Sequence, residues 1–217
     1  MESCKSFFRA LRPALIITLI LLVLCGLIYP LVMTGVSQLL FPSQANGSML
    51  TVNGSPVGSR FVGQQFTEDY FMKGRPSAVN YNTYTVNENG EEVYLDGTPY
   101  NGLASGSANY GPSNPALRER VEQDMEAFLA ANPDITRDQI PTDLMTASGS
   151  GLDPHISPES AKVQLPAISA ASGLSMDTLE QIVEDATTGK LFGIFGGEAV
   201  NVLEVNIAIA QAMYIVE

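Results

Sequence analysis

From Pro13 to Phe41 no charged side chain interrupts the chain, and Ala14–Val36 is apolar almost throughout. In lipid a backbone must satisfy its own hydrogen bonds, which leaves an open-ended segment only the helix. About twenty helical residues, rising about 1.5 Å each, cross a hydrocarbon core of about 30 Å. The stretch therefore predicts a transmembrane helix over 13–41. A tail at 1–12 precedes it and a soluble domain at 42–217 follows.

Charge orients that helix. Lys5, Arg9 and Arg12 precede it against a single Glu2, and the next basic residue is Arg60. Basic flanks stay in the cytoplasm, so a cytoplasmic amino terminus and an extracytoplasmic carboxyl-terminal domain are expected. The domain holds 22 acidic residues against 8 basic ones, a net charge of −14. Nucleic acid and anionic lipid both require clustered Lys and Arg, so this balance argues against them as electrostatic partners. Its simplest consequence is solubility.

A cleaved signal peptide would have an apolar core of about 7–15 residues and small residues at its end. This run is longer and continues past Cys25 with no A-x-A-like site. Leu24 is also too large for lipoprotein-type processing at Cys25. The helix is accordingly read as an uncleaved anchor. Cys4 and Cys25, the only cysteines, fall on the cytoplasmic side and inside the span, so the outer domain has no disulfide. A domain of about 170 residues can bury a core without one. With one histidine and no Cys/His cluster, the sequence does not suggest a zinc site.

Within the span, Tyr29-Pro30 predicts a kink, because proline lacks a donor and clashes one turn back. Gly26, Thr34 and Gly35 form a small face there that would let another helix approach. Ser43–Ser59 reads as a connector with a hairpin at Val52-Asn53-Gly54-Ser55. Arg60–Phe66 suggests a strand with Phe61 and Phe66 as core candidates, Asp69–Met72 a helical turn, and Arg75–Ala78 with Tyr81-Asn82 an ordered loop. Thr83–Leu103 carries Glu88, Glu91, Glu92 and Asp96 around Asn89-Gly90 and Asp96-Gly97, an exposed β-hairpin pattern. Helices are expected from Ser113-Asn114-Pro115 to Asn132, from Ser157-Pro158 to Gly173, and from Ser175 to about Ala186. Val200–Met213 fits either strand or helix. The capping box Asn201-x-x-Glu204 decides for helix. The fold class is thus a single transmembrane helix plus a mixed α+β extracytoplasmic domain, helix-rich in its carboxyl-terminal half.

Chemistry-bearing residues concentrate in Pro141–Pro158, which contains His155 with Ser148, Ser150, Asp153 and Ser157 nearby. A serine hydrolase would use one serine as nucleophile, His155 as base and Asp143 or Asp153 to orient it. However, Ser148-Gly149-Ser150-Gly151 is not the G-x-S-x-G elbow. Asp153 and Ser157 suit backbone capping better. No phosphate loop is present either, since the glycines lack the G-x-x-x-x-G-K-[ST] frame.

Several stretches together resemble the C subunit of bacterial Kdp-type potassium-transporting P-type ATPases, the KdpC family. They are Leu27–Leu31, Phe41–Ser48, Gly63-Gln64-x-Phe66, Tyr70-Phe71, Arg75–Ala78, Tyr81-Asn82, Gly111–Pro115, Thr146–Pro158, and Val200–Leu203 with Asn206. They span nearly the whole chain in the family's order, and the run at 146–158 is highly specific. Two departures stand out. Thr83–Leu103 looks like an acidic insertion, and Ala167 and Ser172 stand where the family commonly carries arginines.

The resemblance implies a single-pass accessory subunit of the bacterial inner membrane, without catalytic residues or a firmly bound cofactor of its own. ATP and potassium would be handled by the complex. Implied partners are a channel-like potassium-binding subunit, a P-type ATP-hydrolysing subunit and a small helical subunit, besides membrane lipid. The family's subunit has been regarded as a catalytic chaperone that raises ATP affinity, and its outer domain as a cover over the ion entrance. ATP is cytoplasmic whereas the basic flank puts the domain outside, so charge favours assembly and the potassium entrance. The family-motif and interface candidates are Tyr29, Pro30, Gln64, Arg75, Asn114, Ser148, Ser150, Asp153, His155, Asn201 and Asn206. The competing reading is a membrane-anchored cell-surface hydrolase using Ser148 and His155, which would act without partners.

Overall fold

The computed structural model describes residues 2–214, with side chains from Leu11 onward. The chain divides into two compact units, one ending at Ser48 and the other beginning at Met49.

The first unit is helical. Helix α1 runs from Glu2 to Val23 and α2 from Tyr29 to Leu40, joined by a π-helical turn over Leu24–Ile28. Leu11–Leu40 is long and apolar enough to cross a membrane. The π turn shows how the helix adapts to Pro30, whose ring would collide with the carbonyl one turn back. The Tyr29 N–H reaches back to the Leu24 carbonyl. A four-residue helix α3, Pro42–Ala45, follows. Asn46 then exchanges two hydrogen bonds with Gln38, at 3.1 and 3.2 Å, tying the connector to the end of α2.

The second unit opens with the antiparallel hairpin β1 (Met49–Val52) and β2 (Ser55–Ser59). Asn53 and Gly54, at φ 52° and 75°, make the two-residue turn that their sequence predicts. The strand expected at Arg60–Phe66 is absent, and Phe61 is exposed while Phe66 packs on the core. Asp69–Met72 likewise forms only a turn, closed by the Phe71 N–H on the Glu68 carbonyl. A second hairpin, β3 (Tyr84–Val86) with β4 (Glu92–Tyr94), carries the acidic residues. Tyr100 holds its base, stacked on Tyr84 at 4.4 Å and set edge-on to Tyr94 at 5.2 Å.

Helix α4 spans Pro115–Ala131, with the Asn114 side chain accepting from the Ala116 N–H. The expected helix from Ser157 to Gly173 is in fact two, α5 (Pro158–Lys162) and α6 (Leu165–Ser172). Pro166 has no N–H to offer the Lys162 carbonyl, so the ladder breaks there. Helix α7 covers Met176–Asp185 behind its Ser175 cap. The ambiguous carboxyl-terminal stretch holds both structures: β7 (Ala199–Asn201) runs directly into α8 (Val202–Ala212). Strand β7 lies between β5 (His155–Ile156) and β6 (Thr187–Thr188), antiparallel to both.

The core gathers Ala161, Leu165 and Ile168 with Leu179, Val183, Val200, Val202, Val205 and Ile209, and Met72 inserts among them. Met72 comes from an extended segment that pairs with no strand. Its backbone is satisfied instead by side chains. Asn206 accepts from the Met72 N–H at 2.8 Å and donates to the Met72 carbonyl at 2.9 Å. Gln164 treats Lys73 the same way, at 2.8 and 3.2 Å, and donates a further bond to the Ser160 carbonyl at 2.9 Å. Both carboxamides are buried. Each therefore substitutes for one residue of a neighbouring strand, in a place where an unmade bond is costly.

Asn206→Leu should destabilise the protein by about 2–6 kcal/mol, from about 1–3 for each of the two stranded Met72 groups. Denaturant unfolding of the full chain in detergent checks this.

Candidate functional site

Arg75, Ser148, Ser150, Asp153 and His155 lie where the loop at 146–157 docks against the segment 63–82. The Gly63 N–H donates to the Leu152 carbonyl at 2.8 Å, and the Ser148 N–H to the Pro76 carbonyl at 3.3 Å. Ser77 Oγ donates to the Gly151 carbonyl at 2.7 Å. The fit leaves no room for side chains at two glycines. A Cβ on Gly63 would lie 2.5 Å from both the Asp153 carbonyl oxygen and Tyr81 Cε1. One on Gly151, at φ 69°, would lie 2.7 Å from Val79 and 2.8 Å from the Gly106 carbonyl oxygen.

Arg75 bridges the two segments. Its Nη1 is 2.9 Å from Asp153 Oδ2, and Nε and Nη2 each lie 3.3 Å from the Thr146 carbonyl oxygen. Asp153 Oδ1 accepts from the His155 N–H at 3.0 Å, which sets the turn leading into β5. Beneath the ion pair, Tyr81 Oη donates to the Arg75 carbonyl at 2.7 Å. Burial, then the Asp153 charge, pushes the phenol up to about 12, against a smaller opposing effect of Arg75. Asn80, Tyr81 and Asn82 all have positive φ, at 46°, 53° and 54°. This conformation is strained for tyrosine. Ser77 Oγ supports it by accepting from the N–H groups of Val79 and Tyr81, at 3.2 and 3.0 Å.

The same geometry decides what the serines can do. Ser148 is buried and its Oγ accepts from the Gly151 N–H at 2.8 Å. Ser150 Oγ accepts from the Leu152 N–H at 3.1 Å. Neither serine is hydrogen-bonded to His155 among the described residues, and His155 Nδ1 stands 3.7 Å from Asp153 Oδ1, too far for a hydrogen bond. Asp143 is committed elsewhere, capping α5 by accepting from Ser157 N–H (2.8 Å), Ser157 Oγ (3.1 Å) and Ser160 Oγ (2.5 Å). Burial alone would raise this carboxyl, but the three hydrogen bonds outweigh it and hold it below the usual range. The base–nucleophile contact that acyl transfer requires is not made.

Four of the remaining candidates cap, clasp or brace. Gln64 Nε2 donates to the Val57 carbonyl at 2.9 Å, and Asn114 caps α4 away from the junction. Asn201 accepts from the Glu204 N–H at 3.1 Å and donates to the Arg60 carbonyl at 2.8 Å. The reciprocal half of the expected capping box is missing. Glu204 pairs with Arg60 Nε at 2.8 Å, and the Asn201 N–H goes to the Ala186 carbonyl. Asn206 forms the clasp on Met72. Tyr29 and Pro30 belong to the first unit, at the start of α2.

Ser77 and Tyr81 read from sequence only as parts of an ordered loop and of family motifs, and the capping by Asp143 and the clasp by Gln164 were not foreseen. A signal for Gln164 existed, since it shares the helical face of Ala161, Leu165 and Ile168 although it is polar. Beside it an open cavity of about 450 Å³ is lined by Phe71, Lys73, Asn132, Ala167 and Ala170. Burial pulls the Lys73 ammonium below its ordinary range, against the opposing pull of Asp69 and Glu68. Ala167 places a methyl in this cavity where the family resemblance expects arginine.

Tyr81→Phe should cost about 0.5–1.5 kcal/mol at neutral pH. A raised phenol pKa contributes stability below pH 10 that is lost as pH rises towards 12. The substitution should therefore also flatten the alkaline fall in stability across that window, which denaturant unfolding at neutral and alkaline pH would reveal.

Comparison with known proteins adds the family. The family described as "KdpC: K+-transporting ATPase, c chain" matches residues 11–211. A Potassium-transporting ATPase KdpC subunit of Clostridium kluyveri is 55% identical over 209 residues, covering 96% of this chain and 97% of the relative. One from Clostridioides difficile is 55% identical over 208 residues, covering 94% and 98%. One from Caldanaerobacter subterraneus subsp. tengcongensis is 42% identical over 194 residues, covering 89% and 91%. A match running from the apolar helix through α8, with relatives this similar along nearly their whole length, places the chain in the KdpC family of K+-transporting ATPase c chains.

Proposed function

We propose that this chain is an accessory subunit of a potassium-importing ATPase, anchored by Leu11–Leu40, with its carboxyl-terminal domain outside the cytoplasm beside the potassium entrance. The family match over residues 11–211 carries the reading, because it includes the apolar helix and the folded domain together. The charge asymmetry around the helix supports the orientation. The junction at Arg75, Tyr81 and Asp153 supports a scaffold: its polar groups are spent on holding loops.

Its partners in this reading are a channel-like potassium-binding subunit, an ATP-hydrolysing P-type subunit and a small helical subunit. ATP stays on the cytoplasmic face, so any rise in ATP affinity is exerted through the helix or through a partner. The acidic surface adds a modest local attraction for cations, limited by screening to about 10 Å at 0.1 M salt.

In a Cys4→Ser background, Glu88→Cys on the exposed hairpin should react with an impermeant thiol reagent once the outer cell barrier is opened. Labelling only after lysis would reverse the orientation. Purified from native membranes, the chain should bring down the other pump subunits. The chain alone should hydrolyse neither ATP nor simple esters, whereas ester hydrolysis abolished by His155→Ala would restore the hydrolase reading.

A further inference from the structure

The turn joining β6 to β7 presents four large apolar side chains to solvent. Leu191, Phe192, Ile194 and Phe195 are 62%, 85%, 76% and 64% exposed. The turn is nonetheless well bonded. The Leu191 N–H donates to the Phe195 carbonyl at 2.8 Å, the Phe195 N–H to the Leu191 carbonyl at 3.0 Å, and the Gly193 N–H to the Lys190 carbonyl at 2.9 Å. Within it the Ile194 N–H donates to the Leu191 carbonyl at 3.2 Å, with Phe192 and Gly193 between them at φ 53° and 72°. Left-handed backbone is natural for glycine and costly for phenylalanine. Burial of the ring does not offset that cost, because Phe192 lies in solvent. Exposed apolar side chains held on a strained, ordered turn indicate an occupant outside the domain.

We propose that the turn over residues 189–197 is a membrane-surface anchor. It inserts Leu191, Phe192, Ile194 and Phe195 into the interfacial zone of the bilayer that holds the chain's own helix. Charge supports lipid as the occupant. In a domain with 22 acidic residues, the only charged residue between Asp185 and Glu198 is Lys190. An apolar tip with a flanking lysine suits an interface, the side chains entering the acyl boundary while the ammonium meets headgroup oxygens.

The tether supports it too. Leu40 ends the apolar helix, Asn46 is bonded back to Gln38, and the second unit begins at Met49. So short a link keeps the domain at high effective concentration beside that bilayer. The inference requires residues 11–40 to span a membrane but does not depend on which side the domain faces or on the pump subunits.

The chain contains no tryptophan, so Phe192→Trp supplies a single reporter. Val86→Trp, on the exposed hairpin, is the control. Each full chain is reconstituted in phosphatidylcholine vesicles, with unchanged thermal unfolding as proof of folding. The Phe192→Trp chain should emit at shorter wavelength than the control and be quenched severalfold more strongly by dibrominated phosphatidylcholine. Adding Phe195→Asp should remove most of that excess quenching. Equal quenching of reporter and control would overturn the anchor, as would indifference to Phe195→Asp. Protection of the reporter only after the pump subunits are co-reconstituted would also overturn it, assigning the turn to a protein partner. Co-purification with those subunits, measured separately, shows whether the accessory-subunit reading stands.

Discussion

Two buried carboxamides hold the domain together. The chain brings Met72 into the core on an extended segment with no strand beside it, which would leave two consecutive residues with unpaired backbone groups in an apolar interior. Asn206 on α8 and Gln164 at the start of α6 supply the missing donors and acceptors. Met72 has no exposed surface, and its backbone is held by a residue 134 positions later in the chain. Remove that solution and Met72 and Lys73 lose the hydrogen bonds that seat them on α6 and α8.

The Arg75 junction extends the same arrangement outward. Once residues 72 and 73 are fixed, the chain reaches Arg75, whose guanidinium finds Asp153 and whose carbonyl accepts from Tyr81. Tight approaches at Gly63 and Gly151 then close the loop at 146–157 over it. A residue pattern that looks catalytic, with Ser148, Ser150, Asp153 and His155 in one run, makes local structural contacts here. Each serine hydroxyl accepts from a backbone N–H nearby, and Asp153 divides its oxygens between an arginine and a turn.

Local signals were legible wherever the physics was local. The uncharged run at 13–41 announces the long helix, Asn53-Gly54 the hairpin, and Asn114, Ser157, Ser175 and Asn201 the helix starts they cap. What the sequence concealed depends on distant partners. The extended run from Arg60 to Val79 looks like strand in part, yet its bonding partners lie on loops and helices about 70 to 140 residues away. Strands β5, β6 and β7 are two or three residues long, too short for alternation to show. The left-handed run at Asn80–Asn82 follows from Ser77 and from the contact of Gly63 with Tyr81, which composition does not reveal. The break between α5 and α6 could have been foreseen from Pro166, whose missing donor falls mid-helix in the expected element.

Membership of the KdpC family fits this picture of a domain that spends its polar groups internally and leaves its surface acidic. The account's central claim is that side-chain amides replace a strand at residues 72 and 73. Amide hydrogen exchange on the full chain tests it most directly. The Met72 and Lys73 N–H groups should exchange as slowly as those of α8, near the limit of global unfolding, although they lie in no helix or strand. Exchange as fast as at the exposed Glu88 turn would contradict the clasp and the fold built upon it.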